Sequence, residues 1–344
     1  MIRELIGLCR GKAPLYIQTH NNPDADAIAS ACGLQALLSR FGIAATVRYV
    51  GKADRVSTKR FIALCEIELE CFDGTYADTD SVILVDCQKG NGNLTMNGGS
   101  LIGCLDHHLQ SSEGYLWSRI EQVGACASLV TDFFLQLGCP FDKEIATVLL
   151  YGIKMDTLKF TRGITRLDIG MFQELFDKVD SNKMRILETG DIALEDLIAF
   201  GTAIRNIRVI NDIGISYIPF DCPDALIAVL SEFMLGIDEL SITVVLSQRP
   251  GGIKLSVRTI LEFFNAGEFT ERALEGLGSG GGHASFAGGF IPIGNLDGIP
   301  QYDYPDFLTE RLLKTYRHLL LDSAEFSDPS GASGLSGGSG ASAF

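Results

Sequence analysis

Apolar and polar positions fall into short blocks over the first half of the chain. Leu15-Tyr16-Ile17 is a brief apolar run that gives way to the polar stretch Thr19-His20-Asn21-Asn22-Pro23-Asp24-Ala25-Asp26, and Ile28 to Leu38 then repeats apolar residues at helical spacing. These blocks read as strand, turn and helix. Pro23 keeps Asn22 out of helical space, and Gly42 marks the end of the helix. Thr46 to Val50 reads as a second strand, and a helical stretch opens at Lys59 to Leu64. Ser81-Val82-Ile83-Leu84-Val85 is a continuous apolar run, as in a strand buried on both faces, and it stops at Asp86. Leu101-Ile102-Gly103-Cys104-Leu105 repeats that design and stops at Asp106-His107-His108. Helical patterns follow at about 127–137 and 143–152, with Asp156 just beyond the second. Short buried strands alternating with helices predict an α/β fold with a mainly parallel sheet covered by helices.

Beyond Thr165 the pattern is helical to about Phe200, and the domain connection is expected there. Strands are predicted near 209–217, a helix near 224–233, and a hairpin from Ile242 to Thr259 whose turn is Gln248-Arg249-Pro250-Gly251-Gly252. A helix over 270–277 runs into Gly278-Ser279-Gly280-Gly281-Gly282-His283. Phe290-Ile291-Pro292-Ile293 reads as a last strand and 307–320 as a last helix. From about residue 323 the composition is mostly Ser, Gly and Ala with almost no apolar content, the signature of a disordered tail or a linker remnant.

A chain of 344 residues is long enough for two domains, and a hydrophobic fraction of 46% fits globular cores. No apolar run approaches the ~20 residues that a membrane span needs. The N-terminus carries Arg3 and Glu4 before a short apolar patch only, so a cytoplasmic protein is expected. Nine cysteines, odd in number and without a C-x-x-C pair, point to reduced, buried thiols. A net charge of −15 argues against gripping long duplex nucleic acid by its phosphates. An anionic substrate would need divalent cations, and part of the acidic excess would serve to bind them.

The placement of the polar residues is more informative than their number. His20, Asp86 and the Asp106-His107-His108 triplet each follow the carboxyl end of a predicted strand, the edge at which open parallel sheets build their sites. Taken singly, Asp24 would read as a helix cap and His20 as a strand end. Together with Asp26 and Asp156 they make a set of five carboxylates and three imidazoles with no thiolate. Such a set suits Mn2+, with Mg2+ or Co2+ as alternatives, more than zinc. Seven or eight ligands exceed the needs of one ion; two ions about 3.5–4 Å apart would use them, as in displacement at phosphorus. No G-x-S-x-G stands between an expected strand and helix, where an elbow would offer a serine nucleophile.

His20-x3-Asp24-x-Asp26, Asp86, Asp106-His107-His108 and Gly152-Ile153-x2-Asp156-Thr157-x2-Phe160 resemble, in order, the four motifs of the DHH phosphoesterase superfamily. Gly280-Gly281-Gly282-His283 resembles the glycine-rich motif of the DHHA1 domain found in one branch. The resemblance implies a DHH domain over residues 1–185, a helical connection over 186–200, and a smaller α/β domain with a mixed sheet over 201–322. It further implies that His20, Asp24 and Asp86 bind one ion and that Asp26, His107, Asp156 and the bridging Asp86 bind the other. Asp106 would orient an imidazole, and His108 would contact the phosphate. Arg258, Gly280 to Gly282 and His283 would grip the substrate, with help from Arg162. Ala25 and Ala29 stand where the family often carries glycine, and Met155 and Leu158 depart from the usual neighbours of Asp156-Thr157.

The implied activity is hydrolysis of small nucleotides in the manner of the nanoRNase and pAp-phosphatase group, with the second domain holding the rest of the nucleotide. Substrates would be short single-stranded RNA or 3′-phosphoadenosine 5′-phosphate (pAp); partners would include neither long duplex nor membrane, and homodimerisation is left open. Alternatives are a cyclic-dinucleotide or pApA phosphodiesterase, a pyrophosphatase or polyphosphatase, and a non-catalytic nucleotide-binding module.

Overall fold

Six short strands form the first sheet in the computed structural model, which describes residues 2–53, 55–189 and 192–325, the last five by backbone alone. Helix α1 (Ile2–Cys9) leads into β1 (Leu15–Gln18), α2 (Ala25–Ser39), β2 (Thr46–Val50), α3 (Val56–Leu64), β3 (Glu70–Phe72) and β4 (Ser81–Val85). Then come β5 (Ser100–Asp106), β6 (Trp117–Ile120), α4 (Cys126–Leu137), α5 (Lys143–Asp156), α6 (Arg166–Phe176) and α7 (Ser181–Leu187). All pairings in this sheet are parallel, and the strand order is β3-β2-β1-β4-β5-β6. The order reverses between β1 and β4, so the carboxyl ends of those two strands flank a topological switch point.

Helix α2 lies at the centre of this unit. Twelve of its fifteen residues are buried, because it is apolar on nearly every face and meets both the sheet and its neighbours α4 and α5. Ile17, Ile83 and Val85 from the sheet pack with Ile28, Leu34, Val130 and Leu149 from these helices. The contact is tight at Gly152, where an added Cβ would stand 2.6 Å from the Ala29 Cβ and 3.3 Å from Asp26 Oδ1. Gly152→Ala should therefore destabilise the protein by about 1–3 kcal/mol through overpacking, seen as a lower urea midpoint. The same wedge should displace Asp156 and weaken Mn2+ binding in a titration of the folded variant.

The chain divides after Ala193, inside the segment read as the connection. The second unit contains α8 (Leu197–Asn206), β7 (Arg208–Ile210), β8 (Ile213–Ile218), α9 (Asp224–Leu235), β9 (Ile242–Arg249) and β10 (Gly252–Thr259). It continues through α10 (Ala266–Leu274), β11 (Ser279–Gly282), β12 (Phe286–Pro292) and α11 (Tyr304–Glu325). Its sheet is mixed, in the order β11-β12-β10-β9-β8-β7, with only β8 and β9 parallel. Leu246, Leu255 and Ile291 pack with Phe269, Leu308 and Leu312 of α10 and α11, while Ile218 and Val245 pack with Phe200, Ile227 and Leu230 of α8 and α9.

Several boundaries differ from the sequence reading. Strands β3 and β6 have three and four residues, too few for a periodic signal, and were not expected. Helix α5 runs on through Asp156, which is its last residue and not a loop residue beyond it. Helix α10 starts at Ala266 because the Asn265 side chain caps it by accepting from Glu268 N. The glycine-rich stretch is an edge strand instead of a loop. Helix α11 continues to Glu325, so 323–325 belong to it; the rest of the segment read as a tail, 326–344, lies outside the described residues. No described helix is long and apolar enough to cross a membrane.

Candidate metal centre

The turn after β1 supplies the first group of candidate ligands. Asp24 caps α2, its Oδ1 accepting from Asp26 N at 3.0 Å and Ala27 N at 3.1 Å. It caps and also faces His20, whose Nε2 lies 3.9 Å from Asp24 Oδ1 and 3.6 Å from Asp86 Oδ2. His20 Nδ1 is 2.9 Å from the carbonyl of Asn21, which directs the free Nε2 towards the carboxylates. The turn is clasped from both sides: Asn21 N donates to Asn93 O at 2.7 Å, and Asn22 N donates to Val50 O at 2.9 Å. His20, Asp24 and Asp86 thus offer three donor atoms within 4.8 Å of one another.

Asp26, His107 and Asp156 form a second such group. His107 Nε2 lies 3.2 Å from Asp156 Oδ2, 3.2 Å from Asp86 Oδ1 and 4.0 Å from Asp26 Oδ2. Its Nδ1 faces Val123 O at 3.0 Å. Asp26, 1% exposed, is held by the N-terminus of α4, accepting from Cys126 N at 2.6 Å and Ala127 N at 2.9 Å. Asp86 thereby touches both groups, and with His107 and His108 it completes a third.

Asp86 adopts a left-handed φ of +60° at the end of β4, a costly conformation for a side-chain-bearing residue. Its Oδ1 is buried and receives no hydrogen bond. A neutral His107 cannot supply one: the Val123 carbonyl only accepts, so the proton sits on Nδ1 and Nε2 turns a lone pair towards Asp86 and Asp156. Lone pairs converging in this way need positive charge between them. Divalent cations fit this donor set of carboxylate oxygens and imidazole nitrogens. The nearby thiols do not join it, since burial pushes Cys87 and Cys126 well above the usual thiol range.

The titration behaviour of the ion-free site carries the same message. Burial opposes the charging of His20 and His107, but it is outweighed by Asp24 and Asp86 at His20, raised to about 9, and by Asp86, Asp26 and Asp156 at His107, raised to about 11. Burial, and then the Asp86 and Asp156 charges, raise Asp26. Burial with the Asp86 and Asp24 charges lifts Asp156 to about 6 against the pull of His107. Asp24 is held below the usual carboxylate range, because His20 outweighs its burial.

Asp106, fully buried, does not face the two groups. Its Oδ1 accepts from His107 N and from His108 Nδ1, each at 2.9 Å, and its Oδ2 accepts from Gln88 Nε2 at 2.7 Å. These donors outweigh burial and keep it ionised. The His108 side chain is 54% exposed and is raised chiefly by its bond to Asp106. Arg162 donates from Nη2 to Asp156 O at 2.9 Å and lies 3.6 Å from Asp156 Oδ1, so it braces the end of α5.

Residues 14–153 match the model of the DHH family, N-terminal domain. The chain carries a DHH-family domain. Over 306 residues it is 31% identical to an uncharacterized protein of Methanocaldococcus jannaschii, covering 88% of this chain and 63% of that one. A probable manganese-dependent inorganic pyrophosphatase of Bacillus mycoides is 28% identical over 184 residues, 50% of this chain and 58% of that one. The chain thus spans about three-fifths of the length of these curated relatives. The crystal structure of an exopolyphosphatase-related protein from Bacteroides fragilis shares the fold, with a TM-score of 0.69 at 19% identity, covering 93% of this chain and 97% of that one.

Within the first unit, sequence reasoning missed the residues that hold the candidate ligands in place. Asp168 on α6 is fully buried and accepts from Gly124 N at 2.8 Å, Ser128 Oγ at 2.6 Å and Thr165 N at 2.7 Å. It fixes the loop 123–127, which in turn holds His107 and Asp26. The signal was present as a capping box, Thr165-x-x-Asp168. Outside the DHH domain, the second unit gathers Arg258, Phe286 and His283. The Arg258 guanidinium carbon is 5.4 Å from the Phe286 ring centre, and the Phe286 and His283 rings are 4.6 Å apart. Arg258 also lies 3.4 Å from Glu232 Oε2 and donates to Val257 O at 2.9 Å. Gly280 and Gly282 are required by packing, since an added Cβ would meet Thr270 Cγ2 at 2.6 Å and Phe286 O at 2.5 Å respectively. Gly281 faces open space.

Proposed function

We propose that the protein is a divalent-metal-dependent phosphohydrolase acting on small nucleotides, and that Mn2+ is its metal. The observation that carries this reading is Asp86, a strained, buried carboxylate with an unsatisfied oxygen that belongs to the His20 group and lies 3.2 Å from His107 of the other. His20, Asp24 and Asp86 would hold one ion, and Asp26, His107, Asp156 and Asp86 the other. Bound there, the cations supply Lewis-acid polarisation of a phosphoryl oxygen and lower the pKa of a coordinated water. The surrounding residues prepare this chemistry. Carbonyls of Asn21 and Val123 set the imidazole tautomers, α4 anchors Asp26, and Asp106 accepts from His108 Nδ1 and favours the protonated ring, whose Nε2–H is then left to donate to a phosphate oxygen.

The nucleotide reading draws on the second unit, where an open glycine edge lies in the same sheet as Arg258, Phe286 and His283. A guanidinium suits phosphate and the rings suit a base. The curated pyrophosphatase relatives favour a second reading, hydrolysis of a phosphoanhydride, because their match falls on half of this chain. Assay of pAp, pApA, a cyclic dinucleotide, a five-nucleotide RNA and pyrophosphate with Mn2+ separates these. The nucleotide reading predicts turnover of pAp, pApA or the RNA, with Gly281→Ala raising KM for that substrate at unchanged Tm. Turnover of pyrophosphate alone would replace it with the second reading, and turnover of none would leave a nucleotide-binding module.

A further inference from the structure

We propose that Gln88 is a positioning residue that aims His108 at the substrate phosphate; the proposal rests on the phosphohydrolase reading of the same site. Gln88 follows Asp86 by two residues, carries no charge and is fully buried. Its amide is used in full. Nε2 donates to Asp106 Oδ2 at 2.7 Å and to Leu109 O at 3.0 Å, while Oε1 accepts from Ser111 N at 2.8 Å and from Ser112 N and Ser111 Oγ at 3.3 Å each. The partners leave one orientation of the amide: a carboxylate and a carbonyl need donors, and two N–H groups need an acceptor.

The consequence for His108 follows from Asp106. That carboxylate reaches His108 Nδ1 through Oδ1 and is held on its other oxygen by Gln88. Without Gln88, Oδ2 is a buried anionic oxygen lacking its donor, and the carboxylate turns to recover one. The imidazole it carries turns too. The chain on the far side of His108 is fixed by the same amide, because Leu109 to Ser112 hang on Gln88 while the Leu109 side chain is 75% exposed. Gln88 thus clamps His108 through its ring partner and through its backbone neighbour. The hydrogen bonds and ion pairs given above for His20, Asp24, Asp26 and Asp156 do not involve Gln88, and His107 meets Asp106 through its backbone N–H, not through its ring, so ion binding is expected to survive the loss of Gln88.

The test compares the parent with Gln88→Met, which keeps length and volume without a donor, and Gln88→Leu as a second variant should the first fail to fold. With pAp, pApA and pyrophosphate as probes, kcat should fall about 10–100-fold on those the parent hydrolyses. KM and the Mn2+ concentration for half-maximal activity should stay within about twofold of the parent. Because the chain has five histidines, 15N-histidine labelling of the Mg2+-loaded protein resolves their ring signals, and His108→Gln assigns the one of interest. The His108 Nδ1 proton should lose its downfield position and its protection from exchange in Gln88→Met. An unchanged His108 signal, or a loss of activity that tracks a loss of Mn2+ binding, overturns the proposal. If the parent hydrolyses no probe, the phosphohydrolase reading falls on its own, and the His108 signal still decides whether Gln88 holds the imidazole.

Discussion

Asp86→Asn abolishes hydrolysis of every phosphorylated probe, by more than about 10³-fold, and removes the rise in Tm that Mn2+ gives the parent. Asparagine tolerates the left-handed backbone that position 86 demands, with its φ of +60°. The substitution therefore tests charge and ligation instead of local fold. Asp86 belongs to one ligand group and reaches the other at His107, 3.2 Å away, so its loss is expected to unseat both ions where the loss of Asp156 or Asp24 disturbs one. The chelator-treated variant loses the charge that raises His20 and His107 and should melt below the chelator-treated parent, so the effect of Mn2+ is read against each protein's own chelated baseline. A variant that still binds two ions, read by calorimetric titration with Mn2+, contradicts the bridging role.

Mn2+ raises Tm more at pH 8.5 than at pH 6.0, as differential scanning calorimetry would measure. The sign follows from which state holds protons. In the ion-free protein His20 is raised to about 9 and His107 to about 11 from an ordinary value near 6.5, so their contribution is complete below pH ~6.5 and is lost as pH climbs through about 9 and then 11. Asp156, raised to about 6, and Asp26, raised by burial among carboxylates, favour the protonated fold and give up stability earlier in the same climb. The ion-free protein thus weakens with rising pH. Cations bind the deprotonated ligands and must displace these protons at pH 6.0, whereas at pH 8.5 fewer remain. A rise in Tm that is equal at both values, or larger at pH 6.0, overturns this account of the site.

The parallel sheet and the places of His20, Asp86 and His107 were legible in the sequence for one reason: each of the three follows a strongly patterned strand. Ser81–Val85 is apolar at every position, which fixes β4 and therefore places Asp86 at its carboxyl end. The same holds for His107 after β5. What periodicity could not show is how those ligands are held. Asp168 and Gln88 are polar residues in places that read as a helix face and a loop, and their importance comes from partners far along the chain, Gly124 and Asp106. Gly280 to Gly282 failed in the opposite direction. Glycine is depleted in strands, yet the close approach of Thr270 and Phe286 leaves no room for side chains at two of the three, and an edge strand results.

Helix α2 carries Asp26 in its first turn and Asp24 as its cap, and it is enclosed over most of its length. An element so enclosed opens to solvent only with the domain as a whole, so these carboxylates keep their places through many cycles of ion loss and recapture. Amide hydrogen exchange should then be as slow in the middle of α2 after chelation as before it. The centre would behave as a preset socket whose occupant is chosen by the surrounding ion pool, with exchange of one cation for another requiring no refolding.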